Sequence, residues 1–279
     1  VKSLAVRGTE LRYVDHGQGR PVLFVHGFPL DHTMWAGQID ALCSQYRVVA
    51  PDLRGFGRSS LRSAGVPPAI SKAGETPALQ VTMEQFADDL AAMLDAAGIR
   101  EPVVYCGLSM GGYIAFQFQR KYAARLRGLV LCDTRAAADP PEAAAGRRTM
   151  AERVLKEGPA FLADTMLPRL LVETTRQQRP EAVEGLRRVI LANSPLGVAA
   201  AALGMAERPD MTASLPEIRC PTLVIVGQDD TISPPAEMRG IADAIPDARF
   251  VEIPAAAHMS PLENPAAVNA AIIEFLATL

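Results

Sequence analysis

Cysteine is scarce and scattered: Cys43, Cys106, Cys132 and Cys220 are the only four, and no two form a CxxC pair. Neither a structural zinc site nor a disulfide framework is signalled, and the four are read as buried free thiols. No polybasic run and no acidic tail occur. The 28 Lys and Arg and the 31 Asp and Glu are interspersed, for a formal net charge of -3, which sets aside nucleic acid and anionic lipid as partners. No apolar stretch is long enough to span a membrane. Val1 to Gly8 lacks an apolar core followed by a small-residue cleavage site, so a cytoplasmic location is expected. What is present is a globular composition, 49% hydrophobic and 21% charged over 279 residues, enough for one large core.

Short, β-branched-rich apolar runs recur at Pro21 to Val25, Tyr46 to Ala50, Val103 to Cys106, Gly128 to Leu131 and Thr222 to Val226. Runs without polar alternation suit strands buried on both faces of a parallel sheet. Leu4 to Arg7 and Leu11 to Asp15 alternate more clearly and predict an antiparallel edge hairpin, and Arg249 to Ile253 supplies a last strand. Helical patterns lie between them, over roughly Met34 to Cys43, Thr82 to Ala97, Met110 to Tyr122, Pro235 to Ala244 and Pro265 to Ala277. Thr82 and Gln85 spell a capping box. Strand and helix in alternation predict an α/β fold with a doubly wound sheet that binds ligands beyond the carboxyl ends of its strands.

Two segments break the rhythm. From about Arg135 to Ser214 no strand is readable, and stretches punctuated by Pro140, Pro159, Pro168, Pro180, Pro195 and Pro209 predict four or so short helices, a cap inserted between two strands. Over 62–80, Ala64 to Ile70 is echoed by Ala73 to Leu79, rich in Pro and Gly, and is read as a flexible loop insertion.

The chemistry is concentrated in Val103 to Ala115, where a buried run is followed by Gly107-Leu108-Ser109-Met110-Gly111 and then a helical pattern. This is the spelling and the setting of a nucleophile elbow, with Ser109 on a sharp strand-to-helix turn. A serine hydroxyl needs a base. Of four histidines, His258 alone lies in a small-residue loop after the last strand; His16 and His32 are given structural roles, with no partner for His32 evident from spacing. The base needs a carboxylate. Asp230, after the penultimate strand, is chosen, with Asp133 and Asp229 as the alternatives. Oxyanion donors are expected from the backbone N–H groups of Phe28 and Met110. No zinc-type spacing such as HExxH occurs, and no metal or cofactor is expected. Phe28, Trp35, Met110, Ile232 and Met259 are candidates for an apolar substrate pocket, Trp35 equally for the core.

These strings together resemble the α/β-hydrolase fold superfamily in its serine-nucleophile branch, over nearly the whole chain except 62–80. Five matches fall in the family's order: His26 to Pro29, Asp52 to Ser59, the Ser109 elbow, Gly227 to Pro234 and His258. The resemblance implies an eight-stranded, mostly parallel sheet, with a core of residues 1–134 and 215–279 and a helical cap over 135–214. It implies that Asp52 and Arg54 brace loops and that His26 is structural. The chain is similar to small bacterial carboxylesterases and enol-lactone hydrolases, which implies a small-molecule ester or lactone as substrate. Carbon-carbon bond hydrolases and cofactor-free perhydrolases share these spellings, and a non-catalytic ligand-binding protein of the same fold is the reading from another class.

Overall fold

The computed structural model describes residues 1–62 and 79–279, so the loop insertion expected over 62–80 lies outside the described residues except at its ends. The strands are β1 (Lys2–Val6), β2 (Thr9–His16), β3 (Pro21–Val25), β4 (Arg47–Pro51), β5 (Val103–Leu108), β6 (Leu126–Cys132), β7 (Thr222–Gly227) and β8 (Arg249–Ile253). They form one sheet in the order β1-β2-β4-β3-β5-β6-β7-β8. The hairpin β1-β2 and the β2-β4 pair are antiparallel and every later pair is parallel. Every residue of β3, β5 and β7 is buried, as runs without polar alternation require. The expected strands Pro21 to Val25 and Arg249 to Ile253 coincide with β3 and β8, the others are off by one or two residues at an end, and β5 continues through Gly107 and Leu108 up to Ser109.

The helices of the core are α1 (Ala36–Leu42), α2 (Met83–Ala96) and α3 (Met110–Tyr122). Thr82 caps α2 through a full capping box with Gln85. Between β6 and β7 the chain forms five α-helices, where four or so were expected: α4 (Pro141–Glu157), α5 (Ala160–Leu170), α6 (Glu173–Gln178), α7 (Pro180–Ala192) and α8 (Pro195–Ala206). Pro140 and Pro159 precede the first helical residue, and Pro180 and Pro195 occupy it, where a missing N–H costs nothing. Pro168 does not break the chain as expected; it sits near the end of α5, where a single hydrogen bond is lost and the helix ends by Leu170. After β7 come α9 (Pro235–Ala244), the short α10 (Ser260–Glu263) and α11 (Pro265–Leu276).

The helical insertion after β6 is tied to the rest of the chain by Asn193. Its side-chain oxygen accepts from Gly57 N–H (2.7 Å), and its amide donates to the Pro29 (2.8 Å) and Val189 (3.0 Å) carbonyls. Nearby, Gly197 of α8 lies so close to the core that a Cβ there would sit 1.9 Å from the Gly55 carbonyl oxygen. Cys106 and Cys132 are buried, and burial pushes both thiols up, but Cys43 and Cys220 are only half-buried, contrary to expectation, because both lie in loops at the ends of elements. Among the described residues no single helix is long and apolar enough to cross a membrane.

Candidate active site

Ser109, Asp230 and His258 follow β5, β7 and β8, so the parallel sheet carries all three to its carboxyl edge. Ser109 takes φ 54°, a left-handed conformation that costs a non-glycine residue energy and is held by its surroundings. Its N–H donates to the Cys132 carbonyl (3.0 Å), and its own carbonyl accepts from the Thr134 hydroxyl (2.7 Å). The Tyr105 hydroxyl, from within β5, donates to the Gly111 carbonyl (2.9 Å) and closes the turn from below.

Asp230 is buried, and the three carboxylates weighed from sequence now separate. His258 Nδ1 donates to Asp230 Oδ2 at 2.8 Å, while Asp230 Oδ1 accepts from the N–H groups of Ile232 (2.7 Å) and Ser233 (3.0 Å). Asp229 is exposed. Asp133 is buried beneath the pair, accepting from Gly227 N–H (2.8 Å) and the Ser260 hydroxyl (2.5 Å). Ser109 and His258 are not hydrogen-bonded to each other; in unliganded hydrolases that bond is often long and tightens on substrate.

The loop after β3 approaches Ser109 from the other side. A Cβ on Gly27 would lie 3.4 Å from Ser109 Cβ and 2.8 Å from the Leu108 side chain, so only glycine lets the backbone come this near. Among the described residues, neither Phe28 N–H nor Met110 N–H carries a hydrogen bond, which leaves two amides without partners on either side of the serine. Of the side chains expected to form a pocket, Trp35, Met110 and Met259 are wholly enclosed. Trp35 packs on Phe24 of β3 with ring centroids 4.9 Å apart, so all three are core and offer a substrate no side-chain surface. Phe28 is buried but for 7% of its surface, and Ile232 is half-buried.

His26 is buried and held neutral by that burial, its Nδ1 donating to the Gly27 carbonyl (2.9 Å) and its Nε2 accepting from Leu53 N–H (3.0 Å). Arg54 pairs with the buried Asp89 (2.7 and 2.6 Å). His32, for which the sequence showed no partner, has one: its Nδ1 lies 2.5 Å from Asp52 Oδ1, and Arg58 N–H donates to the other oxygen (2.9 Å). Asp31, His32 and Asp52 bring possible metal-ligand atoms within 4.8 Å, but the last two are engaged with each other as a brace between loops.

Burial opposes a charge on His32, yet Asp52 outweighs it and holds the imidazole above its ordinary 6.5; against its own burial, Asp52 is held below 3.8 by the same contacts. The histidine therefore contributes stability that is complete below pH 6.5 and fades as pH rises through its elevated value. The aspartate's contribution is present above 3.8 and fades only at lower pH. Replacing His32 with glutamine is thus expected to lower the melting temperature more at pH 5.5 than at pH 9. Equal losses at both would show that the pair is not ionised.

Within the helical insertion, the buried Asp139 carboxylate is shared by Arg147 and by Arg208 (2.7 Å), and the Arg208 guanidinium lies 4.2 Å from the centroid of Tyr113, one turn beyond Ser109 on α3. Two guanidinium groups thus face one buried carboxylate. A separate cleft of about 400 Å³ lies between α7, α10 and the segment before α1, lined by Leu30, Met34, Leu186 and Leu262 among others, and it does not include Ser109.

Residues 20–265 match the alpha/beta hydrolase fold family. An esterase from Thermogutta terrifontis, solved with malate bound, is 50% identical over 100% of this chain and 99% of its own, with a TM-score of 0.92. 3-Oxoadipate enol-lactonase 2 of Acinetobacter baylyi is 28% identical over 97% of this chain and 94% of its own length. A non-heme haloperoxidase of Rhodococcus erythropolis is 30% identical over 96% of each. With its eight-stranded sheet, its helical insertion after β6 and its match over residues 20–265, the chain belongs to the alpha/beta hydrolase fold family and is a hydrolase.

Proposed function

We propose that the chain is a serine hydrolase of carboxylic esters or lactones, working through an acyl-enzyme. The observation that carries this reading is the 2.8 Å contact from His258 Nδ1 to Asp230, beside a serine on a left-handed turn. Asp230 fixes the imidazole with its proton on Nδ1, leaving Nε2 free to accept. Ser109 Oγ attacks the carbonyl carbon while His258 Nε2 takes its proton, and the carbonyl oxygen, now negative, accepts from the Phe28 and Met110 amides. His258 returns the proton to the leaving alkoxide. Water, deprotonated by the same nitrogen, then attacks the acyl-enzyme and frees acid and serine. Phe28 and Ile232 border the acyl group.

The substrate class is an ester or lactone whose acyl part carries a carboxylate. Malate in the Thermogutta esterase and the 3-oxoadipate for which the Acinetobacter enzyme is named are both dicarboxylates. In this chain, the second guanidinium at Asp139 would supply the matching charge from the helical insertion, with Arg147 the less buried of the two arginines. The haloperoxidase relative favours a second use of the same acyl-enzyme, in which hydrogen peroxide replaces water and a peracid leaves.

The test compares mono-4-nitrophenyl glutarate with 4-nitrophenyl valerate. The acidic ester is expected to be preferred in kcat/KM by about tenfold or more at low salt, the equivalent of one charge-assisted contact, and Arg147→Met is expected to remove most of that preference. Equal rates on the two esters would sink the acidic-acyl reading alone. No turnover of either, with or without peroxide, would sink the ester-hydrolase reading.

A further inference from the structure

The buried carboxylate that the mechanism leaves unused is Asp133. It closes β6 with φ 45°, a left-handed backbone uncommon outside glycine, and has no measurable exposure. Its contacts reach three residues in two segments that are remote in sequence. Oδ1 accepts from Gly227 N–H (2.8 Å), where β7 opens into the loop carrying Asp230. Its backbone carbonyl accepts from the Ser233 hydroxyl (3.1 Å), and the Ser233 N–H is one of the two donors that hold Asp230 Oδ1. Oδ2 accepts from the Ser260 hydroxyl (2.5 Å), two residues beyond His258.

We propose that Asp133 is a positioning residue for the His258–Asp230 pair, tying the loop after β7 to the loop after β8 so that the 2.8 Å contact between them is preset. The inference rests on the serine-hydrolase reading of Ser109, Asp230 and His258. Asp133 does not touch the imidazole; it acts through Gly227, Ser233 and Ser260. Its surroundings favour the neutral acid. Burial pushes the carboxyl well up, the charge of Asp230 and, from α10, that of Glu263 push the same way, and the two hydrogen bonds oppose them without prevailing; the flanking Cys132 thiol is itself uncharged. In the neutral acid the proton lies on Oδ2 and is donated to Ser260 Oγ, while Oδ1 still accepts from Gly227 N–H, so both contacts persist; a second negative charge beside Asp230 would alter the field on His258 without adding a hydrogen bond.

Asparagine is then a faithful replacement and alanine is not. In Asp133→Asn the amide oxygen still accepts from Gly227 N–H, and the NH₂ donates to Ser260 Oγ, which can accept as readily as donate. The expected result is kcat within about threefold of wild type for Asp133→Asn, with the acidic limb of the kcat/KM profile unmoved. Asp133→Ala is expected to lose roughly 10- to 100-fold in kcat with little change in KM, the signature of a misplaced base rather than weaker binding. Ser260→Ala, which removes one arm only, keeps the test open if the alanine variant fails to fold, and is expected to lose several-fold in kcat. The low-field proton resonance of His258 Nδ1–H gives a readout independent of turnover: retained in Asp133→Asn, shifted or broadened in Asp133→Ala and shifted in Ser260→Ala. Full kcat in Asp133→Ala would overturn the proposal, as would an asparagine variant as impaired as the alanine one or one whose acidic limb moved to lower pH. If wild type hydrolysed no ester, the serine-hydrolase reading would fall, and the proton resonance alone would then decide whether Asp133 holds the pair together.

Discussion

Replacing Ser109 with alanine is expected to lower kcat on a 4-nitrophenyl ester by roughly 10⁴- to 10⁶-fold, the range seen when a nucleophile acting in concert with its base is removed. The fold should survive, because the Ser109 hydroxyl carries no hydrogen bond to a described residue and its backbone contacts to Cys132 and Thr134 do not involve the side chain. Glycine at the same position sharpens the result. Ser109 holds φ 54°, and a residue with no Cβ adopts that conformation without the cost of about 1–3 kcal/mol paid by others. Ser109→Gly is therefore expected to be as inactive as the alanine variant and to melt several degrees higher, at about 2–4 °C per kcal/mol for a chain approaching this size. Activity and stability would move in opposite directions, which marks strain retained for chemistry. Residual turnover above about 1% in the alanine variant would assign the reaction to another group, since loss of a nucleophile costs far more than that.

Ser109, Asp230 and His258 were legible in the sequence because each is announced locally. A buried run ends, small residues follow, and a helix or loop begins, so the strand order alone brings the three to one edge of the sheet. The choice among Asp133, Asp229 and Asp230 was not legible to the same degree, since all three follow a strand. Burial and direction tell them apart: Asp229 faces solvent, Asp230 points at His258, and Asp133 turns toward Gly227 and Ser260, 94 and 127 residues away. The His32–Asp52 brace was missed because nothing in a separation of 20 residues signals it; only the turn before α1 and the exit of β4 bring the two side chains together. The pocket was the weakest reading. An apolar residue near a catalytic string reads the same whether its side chain faces substrate or core, and Trp35, Met110 and Met259 all face the core.

Asp230→Asn should be nearly as damaging as loss of the serine, although it changes one atom. Asp230 Oδ1 is fixed as an acceptor by two backbone donors, Ile232 N–H and Ser233 N–H, and an asparagine must keep its oxygen there. Its NH₂ then points at His258 Nδ1 in place of Oδ2. A donor facing that nitrogen forces it to accept, so the imidazole's proton moves to Nε2, the atom that must be empty to receive the proton of Ser109. The expected loss in kcat is about 10⁴-fold, the scale at which a wrong tautomer disables such a base. Nitrogen chemical shifts of the labelled imidazole would show the proton transferred from Nδ1 to Nε2. A loss below tenfold with the tautomer changed would mean that His258 is not the base. The contrast with Asp133→Asn is what separates the two buried carboxylates: the same substitution, made about one strand apart, should be nearly silent where the acid is a neutral clamp and close to lethal where the carboxylate sets the direction of a proton.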